Sequence, residues 1–203
     1  MRDGASVAEG VTRGKWLESG VVAAAGLASG GILAGGFAAL ASSSSGHRGD
    51  VEVLNFALAF EELQASFYAR ALRSLRLHGE WLQFARVVGG HERDHVAFLR
   101  HALGSAADPA PRFQLTGHAA DLNEFQRVAI VLEDIGVALY NGQAVNLTSA
   151  TLAAAAEIVS VEARHAAWAR DLAGEIPAPA ASDVPADTAQ VRARLAQIGV
   201  RVA

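Results

Sequence analysis

Residues 91–95 read HERDH and interrupt a run that otherwise has the apolar periodicity of a helix. A second interruption, VEARH at residues 161–165, again places a histidine three residues after a glutamate. Residues three apart lie on one face of a helix, so Glu92 with His95, and Glu162 with His165, can each present a carboxylate and an imidazole to one point. One such pair is typical of a solvated surface, so the interpretation depends on what accompanies the two copies.

Each of these pairs is preceded by a helical stretch that carries a glutamate and a tyrosine seven residues apart. Glu61 with Tyr68, and Glu133 with Tyr140, therefore share a face, because seven residues make almost two turns. Glu61 precedes Glu92 by 31 residues, and Glu133 precedes Glu162 by 29. This repetition predicts a duplicated helical hairpin whose two copies face each other across a pseudo-twofold axis.

Four helical patterns follow one another from Asp50, at residues 50–77, 79–104, 120–143 and 148–174. Short breaks join the first helix to the second and the third to the fourth, where Thr148 or Ser149 is expected to cap the start of helix 4. Gly104–His118 contains two prolines and is long enough to run the length of a bundle. The sequence therefore predicts an all-α fold, a ferritin-like four-helix bundle with one long crossover between helices 2 and 3.

The predicted bundle comprises residues 46–175. The segments before and after it differ from the bundle in composition. Within residues 1–45, Gly20–Ala41 is an uncharged stretch of 22 residues that can just span a bilayer. Ala39-Leu40-Ala41 has the form of a signal-peptidase site, which favours an export signal over a retained membrane anchor or a soluble segment. Thr12–Leu17 resembles a twin-arginine export motif with Gly14 in place of the second arginine. We therefore expect export to the periplasm or cell envelope.

Residues 176–203 begin as a Pro/Ala-rich linker, and Thr188–Ile198 has the pattern of a short fifth helix. The chain has 203 residues, which suits one domain with its own core. Its net charge of −4 and lack of a long basic run argue against nucleic acid as a partner. It contains no cysteine, so any metal must be held by histidines and carboxylates.

One glutamate from each of two helices, with Glu-x-x-His from each of the other two, is the ligand set of a dinuclear carboxylate centre. Without cations, four clustered carboxylates would repel one another strongly. Oxygen and imidazole ligands without sulfur suit iron or manganese, with zinc as a third candidate. The predicted metal ligands are Glu61, Glu92, His95, Glu133, Glu162 and His165.

Three further side chains are candidates for roles around the predicted metals. Tyr68 and Tyr140 are the candidate catalytic residues, which could hydrogen-bond a ligand carboxylate or donate electrons during oxidation, or simply belong to the core. His91 lies one turn before His95 and is either a third nitrogen ligand or a residue outside the ligand set. Glu62 and Asp134 lie one position, about 100°, off the ligand face and are expected to point elsewhere.

Four stretches carry a resemblance to a known family: LNFALAFEELQASFYARAL, HERDHVAFLRHAL, LEDIGVALYNGQA and VSVEARHAAWARDL. They resemble the four helices of the ferritin-like superfamily, and most of all its bacterial exported members related to desiccation-associated proteins. The resemblance covers about residues 50–175. It implies a ferritin-like bundle and a dinuclear iron centre on the six predicted ligands. Members of this superfamily include ferroxidases, peroxidases, manganese catalases and oxygenases, so the fold does not select one activity.

Two classes of function follow from these observations. In the first, an exported oxidoreductase acts on Fe(II) with O2 or peroxide (H2O2) as the oxidant. The absence of cysteine from the chain favours ferroxidase or catalase-like chemistry within this class. In the alternative, a non-catalytic envelope or stress protein uses metal only to stabilise its bundle. Iron storage would require a shell of many subunits rather than a monomer or a homodimer. Contact with a membrane is expected only through the N-terminal segment.

Overall fold

Four long helices dominate the computed structural model, which describes residues 48–115 and 120–202. They are α1 (Arg48–Ser74), α2 (Gly79–Leu103), α3 (Leu122–Gln143) and α4 (Ser149–Leu172). α1 packs along α2 and α3 along α4, and the two hairpins meet through contacts of α1 with α3 and of α2 with α4. The predicted all-α bundle is confirmed. The export signal or anchor predicted within residues 1–45 lies outside the described residues.

The crossover between the hairpins follows the side of α1. It begins with a 3-10 turn at Gly104–Ala106 and later forms a two-residue strand, β1 (Phe113–Gln114). Asn55 of α1 holds it by donating to the Ala106 carbonyl at 2.9 Å and accepting from the Asp108 amide at 2.8 Å. β1 pairs antiparallel with β2 (Arg201–Val202) near the C-terminus, a short pairing that the helical sequence pattern did not predict.

The N-terminal ends of α1 and α4 are joined by a buried carboxylate. Asp50, which is 5% exposed, accepts hydrogen bonds from the Thr148 amide at 3.0 Å and from the Thr148 and Thr151 hydroxyls at 2.6 Å each. Thr148 is the N-cap residue of α4, as predicted, but its side chain makes no cap hydrogen bond to its own helix. The hydroxyl bonds Asp50 instead, so it secures the helix end to α1.

The C-terminal segment forms the expected short helix, α5 (Thr188–Gln197), and packs it against α3. Asp187 and Gln190 form a reciprocal capping box that begins the helix. The Ala186 amide donates to the Ala138 carbonyl of α3 at 2.8 Å. A Cβ on Gly142 would lie 1.9 Å from the Ala186 carbonyl oxygen, so only glycine lets the segment approach α3 this closely.

The bundle interior is apolar above and below its polar middle. An aromatic cluster fills one part of it, and includes Phe84, which packs edge-on against Trp81 and Trp168. One helical stretch among the described residues, Leu122–Asn146, is long and apolar enough to cross a membrane. Because 61% of its apolar window is buried inside the protein, packing in the bundle core accounts for its composition.

Candidate metal centre

The six residues predicted as ligands meet in the middle of the bundle. Each helix contributes on its inward face, with single glutamates on α1 and α3 and a Glu-x-x-His pair on each of α2 and α4. The four glutamates are 0% exposed, and the two histidines are buried. The residues brought together are Glu61, Glu92, His95, Glu133, Glu162 and His165.

The ligand atoms form two overlapping groups, in each of which every atom lies within 4.8 Å of the others. One group takes Glu61 and His95, and the other takes Glu133 and His165. Glu92 and Glu162 belong to both groups. The arrangement therefore offers two adjacent cation positions that share two carboxylates.

Both histidines direct Nδ1 towards the carboxylates. His95 Nδ1 lies 3.2 Å from oxygens of Glu61 and Glu92, and 3.3 Å from Glu162 Oε1. His165 Nδ1 lies 3.1 Å from Glu92 Oε1 and 3.2 Å from Glu133 Oε2. The two hairpins thus present the same nitrogen in matching surroundings, in agreement with the duplication in the sequence.

The tyrosines cross between the hairpins. The Tyr68 hydroxyl of α1 donates to Glu133 Oε1 of α3 at 2.5 Å, and the Tyr140 hydroxyl of α3 donates to Glu61 Oε1 of α1 at 2.6 Å. Burial, and then the charge of the bonded glutamate, raises the pKa of each tyrosine well above its usual range. Both hydroxyls therefore keep their protons and act as donors, which fits the predicted contact with a ligand carboxylate.

The charges of the buried groups indicate that the site suits cations. Burial raises the pKa of Glu61 to about 7. Burial, together with the negative charge of Glu61, also raises the pKa of Glu162 to about 7. Burial alone would lower the pKa of His165, but its hydrogen bond to Glu133 and the neighbouring carboxylates of Glu92 and Glu162 raise it to about 10. Protons would therefore have to compensate the carboxylates of the metal-free protein, and a cation could replace them.

Two orphaned oxygens point to the same conclusion. Glu92 Oε1 and Glu162 Oε1 are buried and have no hydrogen-bond partner. Each lies close to a histidine Nδ1 but without the geometry of a hydrogen bond. These oxygens belong to the two shared carboxylates, and cations held by the two groups would satisfy both. The donor set therefore fits two divalent metal ions.

Gln64 is a buried member of the site that the sequence reasoning missed. Its amide nitrogen donates to Glu133 Oε1 at 3.1 Å and to Glu162 Oε2 at 3.4 Å, and its side chain is fully buried. Gln64 lies three residues after Glu61, on the same helix face, which is a signal that could have identified it. The second hairpin has Gly136 at the corresponding position after Glu133, so the duplication concealed the role of Gln64.

Gly136 is required by the close approach of a carboxylate. A Cβ at this position would lie 2.5 Å from Glu162 Oε2 and 3.3 Å from Phe60 Cε1. Any side chain larger than hydrogen would push Glu162 away from α3. The two halves of the centre are therefore unequal. α1 places the hydrogen-bond donor Gln64 at the position where α3 has Gly136.

His91 contacts a predicted ligand without joining either group. Its Nδ1 lies 2.8 Å from His165 Nε2, and the two rings stack with centroids 5.1 Å apart. Burial, and then the charge of His165, lowers the pKa of His91 to about 4, so its neutral ring can accept a hydrogen bond from His165 Nε2–H. Of the two predicted roles, the structure supports the one outside the ligand set.

The acids next to the single glutamates point away from the centre, as predicted. Glu62 accepts from Arg100, and Asp134 accepts from Arg170. Each arginine lies eight residues after the Glu-x-x-His glutamate of its own hairpin, so this outer ion pair is duplicated as well. The pairs tie α1 to α2 and α3 to α4 beside the centre.

A family model described as a ferritin-like domain matches residues 49–175. No curated protein matches the chain. The matched range contains all six residues of the candidate centre and ends before α5.

Proposed function

Because the chain belongs to the ferritin-like domain family, we propose that its buried centre binds two iron ions and oxidises Fe(II) with O2 or peroxide. The observation that carries the proposal is the position of Glu92 and Glu162, which are fully buried and belong to both groups of ligand atoms. Two shared carboxylates would hold two cations, and two iron ions would supply two electrons to one oxidant molecule. Manganese is the alternative metal, since the donor set suits both.

The roles of the side chains follow from their contacts. Glu61 and His95 would complete one position, and Glu133 and His165 the other. Tyr68 and Tyr140 would hold the outer oxygens of Glu133 and Glu61, so that the inner oxygens face the metals. Bound iron would supply the capacity to lose one electron per ion. With Fe(II) as the substrate, two Fe(II), one O2 and two protons give two Fe(III) and one H2O2.

Peroxide as the oxidant would complete the same reaction. Two Fe(II), one H2O2 and two protons give two Fe(III) and two water molecules. Among the described residues, a hydrogen-bonded path runs from the centre through His165 to His91, and the His91 side chain is exposed. This path gives the protons a way from solvent to the buried ligands.

A second candidate function is favoured by the burial of the centre. All four glutamates are 0% exposed, as expected for a metal that only stabilises the bundle in an envelope or stress protein. A metal that binds only the folded state stabilises it without turnover. Export to the periplasm or cell envelope, and the relation to desiccation-associated proteins, stay predictions from the sequence.

The experiment combines metal content with turnover. Protein purified without chelators is analysed by mass spectrometry for metals, and anaerobic protein loaded with Fe(II) is then mixed with O2 or with H2O2. We expect about two metals per chain and oxidation of Fe(II) at a rate that Glu92→Gln abolishes. Glu157→Gln is the matched control, because Glu157 is exposed on α4. Two bound metals without oxidation would favour the stabilising role, and less than about one metal per chain would contradict both candidates.

A further inference from the structure

An apolar pocket lies between α1 and the C-terminal segment. Its volume is about 240 Å³, and one wall comes from α1 while β1 and the C-terminal segment form the other. Seven of the eight lining residues are apolar. The apolar residues that matter here are Phe56, Phe60, Leu63, Phe113, Leu195 and Val200.

The pocket and the candidate metal centre share a wall. Phe60, which is 3% exposed, lines the pocket and also approaches Gly136 of α3. A Cβ built on Gly136 would lie 3.3 Å from Phe60 Cε1 and 2.5 Å from Glu162 Oε2. Gly136, which has no side chain, therefore lies close to both the Phe60 ring and the Glu162 carboxylate. The Phe60 ring stands between the pocket and the candidate centre.

One charged side chain lines the pocket beside its apolar walls. The one charged lining residue, Arg192 of α5, lies over the Phe56 ring at 5.1 Å from its centroid. Phe56, Ala59 and Arg192 also line a neighbouring cleft of about 640 Å³, which contains polar side chains such as Glu52 and Asp108. The apolar pocket therefore adjoins a polar cleft.

We propose that this pocket is a gas-binding chamber from which O2 reaches the candidate metal centre. An apolar pocket holds water weakly and accepts apolar molecules such as xenon or benzene. O2 is small and apolar, whereas H2O2 needs hydrogen-bond partners, and Arg192 is the one polar side chain among the eight lining residues. This inference rests on the proposed function, because it takes O2 as the oxidant of Fe(II). It assigns O2 a route to the centre that H2O2 does not use.

The chamber depends on a part of the chain outside the family match. Leu195 and Val200 follow the matched residues 49–175, and the capping box and the Ala186 hydrogen bond to α3 hold them in place. The C-terminal segment, for which the sequence indicated no function, thus supplies one side of the chamber. Leu195 is only half-buried, so a larger side chain there can fill the pocket without disturbing the bundle core.

The test uses the full chain and two independent readouts. Xenon is added to protein with labelled methyl groups, and we expect concentration-dependent NMR shifts of the Leu63, Leu195 and Val200 methyl groups, with the Leu152 methyl groups of α4 as the reference. In kinetics on iron-loaded protein, Leu195→Trp is expected to slow Fe(II) oxidation by O2 severalfold and to leave oxidation by H2O2 unchanged. Ala59→Leu fills the pocket from the α1 side and should do the same. Leu152→Trp, a similar change at an exposed site, is the control.

Each outcome separates the chamber from the activity. Xenon shifts together with a loss of the O2 reaction alone support the chamber. Missing xenon shifts, or filled variants that react with O2 at the wild-type rate, overturn it while the activity stands. Equal slowing of the O2 and H2O2 reactions also overturns it, because that would indicate a general disturbance of the centre. Xenon shifts in a protein that oxidises no Fe(II) would overturn the proposed function and leave a gas-binding site without that reaction.

Discussion

The Tyr68 hydroxyl lies 2.5 Å from Glu133 Oε1, so a tyrosine of the first hairpin orients a predicted ligand of the second. Tyr140 makes the reciprocal contact with Glu61 at 2.6 Å. These bonds connect α1 and α3 directly, and each leaves the other oxygen of its glutamate facing a histidine. The centre therefore depends on the docking of both hairpins.

We expect Tyr68→Phe to lower the free energy of unfolding of the metal-free protein by about 1.5–3 kcal/mol, because a buried carboxylate loses a strong donor. Tyr140→Phe should have an effect of similar size, since its bond to Glu61 is buried and almost equal in length. Urea denaturation of both variants measures the change. A large loss in only one of them would show that the two contacts are not equivalent in energy.

Gln64→Leu should weaken metal binding by roughly 10–100-fold, because the amide helps to hold Glu133 and Glu162 in place. Competition with a chromophoric chelator measures the affinity. Gln83→Leu is the control, since Gln83 is exposed on α2. Unchanged affinity in Gln64→Leu would mean that Tyr68 alone suffices to orient Glu133.

Gly136→Ala is expected to destabilise the protein by roughly 1–3 kcal/mol through overpacking and to reduce the number of metals bound per chain. The added Cβ would collide with the Glu162 carboxylate, which both groups of ligand atoms share. Gly90→Ala is the matched control in α2, because the only neighbour near its Cβ is the flexible end of Arg93. That change should be neutral or stabilise the helix by up to about 1 kcal/mol. Calorimetry and metal analysis of both variants decide the prediction.

Asp50→Ala should lower the free energy of unfolding by roughly 2–4 kcal/mol, since three donors of Thr148 and Thr151 at the start of α4 lose their buried acceptor. The metal content per folded chain should not change, because Asp50 belongs to neither group of ligand atoms. Glu52→Ala changes an exposed acid in the same turn of α1 and should have little effect. If metal content fell along with stability, Asp50 would have to be coupled to the centre through α1.

The bundle, its crossover and the six clustered residues could be predicted because they depend on local periodicity. Residues three and seven apart share a helix face wherever the helix is placed, so Glu92 with His95, and Glu61 with Tyr68, point the same way before any packing is known. The matched spacing of the two hairpins then indicates that the faces meet. Even the outer pairs of Glu62 and Asp134 follow this repeat.

The sequence by itself therefore determined the helices, their order and which side chains share the inward faces. Only the tertiary structure decided which atoms meet across those faces: the crossed tyrosines, the His91 contact with His165, and the unequal positions of Gln64 and Gly136. It also decided that the C-terminal segment docks on α3 and completes an apolar pocket. The physical reason is that contacts between helices depend on distances of a few ångströms between side chains far apart in sequence, where the volume of one residue decides what can approach.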